Sequence, residues 1–160
     1  MSSQGGSKLE LNTASATVAF YSRLEDQAEK FYEELARNEK YGNGRETFLA
    51  FARENKKHRE MVLRVYREVV TDAIETCYSF AGLNESDYRV DTELTEDMGY
   101  CDILRIALKV EENIRKFCID ANERSRSLLA DLPQAFEKVA KRKASRKLIL
   151  ELLLGRTTVW

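Results

Sequence analysis

The chain has 160 residues, enough for one domain with a full core and too few for two comfortable ones. With 43% hydrophobic and 33% charged residues, one proline and seven glycines, it is neither a Pro/Gly-rich disordered segment nor a turn-rich β sandwich. Lys and Arg total 26 against 27 Asp and Glu, a net charge of −1, so no whole-chain field draws it to nucleic acid or an anionic membrane. No apolar run approaches the roughly 18 residues that span a bilayer, and MSSQGGSK lacks the hydrophobic centre of a signal peptide. No nucleic-acid or membrane partner is expected, and the expected location is cytoplasmic. Cys77, Cys101 and Cys118 are odd in number and form no C-x-x-C pair, which fits reduced thiols and excludes a four-cysteine iron centre.

Residues 1–12 read as a flexible N-terminal segment. The first helix is expected over 13–38, with Val18, Tyr21, Ala28, Tyr32 and Leu35 on one stripe, stopped by Gly42-Asn43-Gly44. A second, over 45–80, carries Phe48, Phe51, Val62, Val65 and Val69. From 81 to 98 the period is lost among Gly, Asn, Ser and Asp, over a length that suits a crossover and not a tight turn. A third helix is expected over 99–130, with Leu104, Ala107, Ile114, Cys118 and Ala121 inward. Asp131 and Pro133 then open a fourth that Gly155 should end, leaving 155–160, with Trp160, as a tail. The order is short turn, long crossover, short turn: an all-α, ferritin-like four-helix bundle over 13–154, with the long crossover between helices two and three.

The halves repeat. LEDQAEKFYEELA at 24–36 aligns on VEENIRKFCIDAN at 110–122, and FARENKKH at 51–58 on VAKRKASR at 139–146. All four stripes are broken at mid-helix by polar residues: Glu25 in the first, Asn55 and His58 in the second, Glu111 in the third, Lys143 and Arg146 in the fourth. Six polar groups would then converge on one buried level, which costs several kcal/mol unless they satisfy one another or bind something. Glu54 lies about 100° around its helix from Asn55 and should face elsewhere. The remaining cations of the basic run 138–147 read as a solvated face. Tyr21 and Tyr32 flank the Glu25 level, where hydrogen bonding and plain packing explain them equally well.

On these residues the sequence resembles the rubrerythrin-like branch of the ferritin-like superfamily. The helix of Glu25, with Phe31-Tyr32 six residues on, is similar to that family's first ligand helix, FARENKKHREMV to the second and VEENIRKF to the third. VAKRKASRKLIL occupies the fourth. The resemblance implies a dinuclear carboxylate site doing peroxide reduction, ferroxidation or iron storage, with glutamate expected at Asn55 and a Glu-x-x-His pair at Lys143 and Arg146.

Two readings follow. In the first, Glu25 and Glu111 neutralise Lys143 and Arg146 in a buried network, His58 is a hydrogen-bonded core histidine, no cofactor is bound, and the protein is a non-catalytic binding or assembly scaffold. In the second it is a rubrerythrin-type oxidoreductase or iron-binding protein, with iron, manganese or zinc held mononuclearly by Glu25, His58 and Glu111. No catalytic residue is assigned in either. A homodimer is expected, because helix two is longer than its own core needs.

Overall fold

A computed structural model describes residues 11–69, 83–125 and 131–158. The first helix, α1 (Ala14–Arg37), starts where Thr13 leaves the helical region and its Oγ1 accepts the Ala16 N–H at 3.0 Å. A hydroxyl acceptor satisfies one of the four amides a helix start leaves open. At the other end Asn38 turns extended, and its side chain accepts the Lys40 N–H. A 3-10 run, Glu39–Gly44, then leads directly into α2 (Arg45–Val69), so α1 and α2 form a hairpin.

Gly44 is fixed by space. A Cβ there would lie 2.6 Å from the Phe48 ring and 2.7 Å from the Tyr100 hydroxyl. Gly44→Ala is expected to destabilise by about 1–3 kcal/mol, the usual cost of forcing atoms into a filled core. The urea midpoint reads this out, and an unchanged midpoint would mean the two rings yield freely.

The second pair is α3 (Tyr100–Ser125) and α4 (Asp131–Thr158), the latter with Pro133 in its first turn, where a missing N–H costs nothing. α1 packs chiefly on α2 and α3 on α4, and the pairs meet through α2 against α4 and α1 against α3. The expected stripes are buried, except that Val65 and Val69 are only half-buried. The described residues contain no β-strand, and none of their helices is long and apolar enough to cross a membrane.

The crossover keeps close to α1. Leu83 O accepts the Leu11 N–H at 3.1 Å, Glu85 pairs with Arg23 at 2.8 Å, Val90 O accepts from Gln27, and Glu96 O accepts from Lys40 at 2.7 Å. It therefore runs alongside α1, and Tyr88 wedges between Phe20 and Phe117 while its hydroxyl donates to Asp120 on α3. A 3-10 turn, Glu85–Tyr88, and a turn at Glu96 and Asp97, where Thr95 O accepts the Met98 N–H at 3.2 Å, interrupt its extended course.

Two boundaries differ from expectation. α4 does not end at Gly155 but runs to Thr158. A helical glycine costs about 1 kcal/mol, which is no stop signal without a following proline. Leu11, read as part of a flexible segment, is 1% exposed and belongs to the core. The expected stretches 70–80 of the second helix and 126–130 of the third, with Cys77, residues 1–10 and Trp160, lie outside the described residues.

Candidate functional site

Glu25, Asn55, Glu111, Lys143 and Arg146 are each 0% exposed and come from all four helices to one level of the bundle. The helical period does this: in each helix the polar residue lies three or four positions from its apolar stripe neighbours, so it inherits their inward direction. Lys143 is central. Its Nζ donates to Glu25 Oε1 at 2.8 Å and to Asn55 Oδ1 at 3.0 Å, and lies 3.8 Å from Glu111 Oε1. Arg146 spans the other side, with Nη1 donating to Asn55 Oδ1 at 2.6 Å and Nη2 lying 3.2 Å from Glu111 Oε2. Both cations thus hold the same amide oxygen, which fixes the orientation of Asn55. The Arg146 guanidinium also covers the Phe51 ring, 4.1 Å from its centroid, a cation–π contact of the desolvated kind.

Two tyrosines from α1 complete the level. Tyr21 donates to Glu25 Oε2 and Tyr32 to Glu111 Oε2, each at 2.5 Å. Burial, then the adjacent carboxylate, pushes both phenols well above their usual range, so they remain donors. Burial opposes the charge on Arg146, but Glu111, Tyr32, Glu25 and Glu54 together outweigh it and the guanidinium is held above its ordinary value. The Cys118 thiol, also buried here, is pushed up by desolvation first and Glu25 second.

His58 stands at the edge. Its side chain is 15% exposed and Nδ1 lies 3.7 Å from Glu25 Oε2, too far for a hydrogen bond, with no partner among the described residues. The expected hydrogen-bonded core histidine is corrected accordingly: burial and three cationic neighbours oppose a second proton on the ring more strongly than Glu54 favours it. Desolvation, then Lys143 and Arg146, lowers its pKa from 6.5 to about 3. A folded value below the unfolded one means the unfolded chain takes up the proton first. Stability from neutral His58 is therefore complete above about pH 6.5 and is lost progressively as pH falls toward 3. Between pH 7 and 5 the parent should lose about 2 kcal/mol that a His58→Gln variant does not. Parallel urea titrations check this, and equal losses in both would refute it.

Glu54 was expected to face away. It does bind outward, to Arg142 through both carboxylate oxygens at 2.9–3.2 Å, yet Arg146 Nη1 is 4.0 Å from its Oε1, so it borders the cluster. Nothing in a single sequence pairs residues 54 and 142, 88 positions apart. The rest of the basic run behaves as expected, with Lys138 and Lys141 exposed and Lys147 paired with Glu112 at 2.7 Å.

The chain matches the family model described as Rubrerythrin over residues 18–141, more than half its length. The chain belongs to the rubrerythrin family. Membership places this rubrerythrin-family bundle in the ferritin-like superfamily, as its short link and long crossover require. No curated protein and no solved structure matches the chain.

The family implies a two-metal centre, and the residues present do not fit one. The space between Glu25 and Glu111 holds an ammonium and a guanidinium, and a dication there would meet two positive charges at hydrogen-bonding range. Asn55 offers a neutral amide oxygen already shared by both cations. Among the described residues no three His, Cys, Asp or Glu side chains converge as a metal-holding group.

Proposed function

We propose that this rubrerythrin-family protein has exchanged a dinuclear carboxylate centre for an internal salt-bridge network, and acts as a binding or assembly scaffold and not as a redox catalyst. The observation that carries the reading is Lys143 Nζ at 2.8 Å from Glu25 Oε1 in a fully buried pair. Two carboxylates, one ammonium and one guanidinium sum to zero, so the level is electrically closed without an ion. Such a network contributes little net stability but fixes which helix faces meet.

The reading is tested by elemental analysis of protein purified without chelator. Iron, manganese and zinc each far below one per chain is expected, and one or two iron or manganese per chain would overturn it. A second reading, one metal on Glu25, His58 and Glu111, draws support from the unpartnered His58 Nδ1 beside Glu25. It requires Lys143 to withdraw from Glu25, and the same analysis would give one metal per chain.

Self-association as a homodimer goes with the scaffold reading. Beyond Val62 no described residue of α2 is fully buried, and Leu148 and Leu152 on α4 are each 63% exposed. Sedimentation at micromolar concentration is expected to give twice the chain mass, and a monomer alone would exclude this.

A further inference from the structure

We propose that Lys143 and Asn55 are poised to join in an intramolecular amide bond, a covalent strut between α2 and α4 formed by the protein on itself. The inference rests on the same cluster and goes beyond the scaffold reading. Three parts of an acyl-transfer site are present on a nonreacting-looking network. The nucleophile is the Lys143 amine, whose Nζ is 3.0 Å from Asn55 Oδ1 and 0% exposed. The proton acceptor is Glu25, whose Oε1 takes a hydrogen bond from that same nitrogen at 2.8 Å. The oxyanion stabiliser is Arg146, whose Nη1 donates to Asn55 Oδ1 at 2.6 Å, the oxygen on which negative charge develops when the carbonyl is attacked.

The leaving side of the amide is free. With Oδ1 held by both cations, Asn55 Nδ2 points away and has no hydrogen-bond partner among the described residues. Water competes for an acyl centre in most proteins, but every group here is excluded from solvent, so the amine that meets the amide at Oδ1, 3.0 Å away, has no rival.

The step balances. The Lys143 ammonium passes one proton to Glu25 along the hydrogen bond between them, 2.8 Å long, which leaves two neutral groups. The amine lone pair attacks Asn55 Cγ, and the C–O π electrons move onto Oδ1 against Arg146. On collapse the carbon–Nδ2 bond breaks, Nδ2 takes the second proton from Nζ, and ammonia leaves. The product is an Nζ–Cγ amide with a protonated Glu25, so the level stays neutral with Glu111 and Arg146 still paired. No oxidant, cofactor or metal enters.

Intact mass spectrometry of the full-length protein tests it. The expected result is a mass about 17 Da below that of the sequence, with a proteolytic product in which the peptides of Lys143 and Asn55 are joined. Lys143→Arg, which keeps the charge but forms no such amide, should restore the sequence mass, and Glu25→Gln should restore it or slow the loss at least tenfold. These readouts need no folded variant, since the parent alone decides. A parent at its sequence mass after prolonged incubation overturns the proposal, as does a 17 Da loss confined to the Asn55 peptide, which is cyclisation of that asparagine. Either negative result leaves the salt-bridge network standing, because it is judged by metal content instead.

Discussion

Replacing Glu111 by alanine is expected to destabilise the protein by about 3–5 kcal/mol, the range seen when one partner of a buried ion pair is removed. Arg146 Nη2 lies 3.2 Å from Glu111 Oε2, and neither side chain has any solvent exposure. The variant leaves that guanidinium with neutral acceptors such as Asn55 Oδ1 at 2.6 Å and Phe51 O at 3.4 Å, and leaves the Tyr32 hydroxyl without its carboxylate. Removing both ends together, as Glu111→Leu with Arg146→Met, should cost less than Glu111→Ala alone, because no charge is left behind. Chemical denaturation of the three proteins gives the comparison. A loss below about 1 kcal/mol for Glu111→Ala would mean that Arg146 finds another partner at no cost, and the network would not be what holds this level together.

The second large effect comes from reversing the proposed exchange. Asn55→Glu, Lys143→Glu and Arg146→His together would place four carboxylates and two imidazoles at the level, a charge of −4 that two divalent ions balance. Each position already points inward, and a Glu-x-x-His spacing puts both side chains on one helix face. Without metal the variant should be less stable than the parent, since like charges are crowded where water cannot screen them. With iron, manganese or zinc at about 100 times the dissociation constant it should regain about 2.7 kcal/mol per site, roughly 5–10 °C in melting temperature. The parent should not respond. Equal thermal shifts in both proteins would show that ligands at these positions cannot reach a common ion.

Most of the fold was legible because long helices announce themselves through a 3.6-residue period, and four stripes with one irregular crossover leave few ways to pack. The buried level was legible for a related reason: a polar residue on an apolar stripe points the same way as its neighbours. Contacts across the bundle were not. That Lys143 would take Glu25 while Arg146 took Glu111 depends on side-chain reach between helices, which no periodicity encodes. Tyr21 and Tyr32 were correctly placed at the level but undecided in role, since a phenol at helical spacing packs equally well with or without an acceptor. Glu54 illustrates the limit of an angular argument. A side chain 100° off the stripe still borders the cluster because Arg142 draws it across the seam between α2 and α4. The end of α4 was misread because glycine weakens a helix without terminating it.

The path of the crossover decides how the bundle can open. A chain of two hairpins would ordinarily come apart between them, each hairpin exchanging its amides as a separate unit. Here the segment 83–99 stitches the hairpins together. Tyr88 is seated between Phe20 of α1 and Phe117 of α3, Asn113 donates to Tyr88 O, and Tyr41 donates to Met98 O at 2.8 Å. Parting the hairpins means extracting an aromatic ring and releasing these bonds at once. Hydrogen exchange should therefore report one protected unit containing the middles of α1 and α3, exposed only by global unfolding. The turns of α2 beyond Val62 and of α4 beyond Leu150, which bury little, should exchange through smaller and earlier openings.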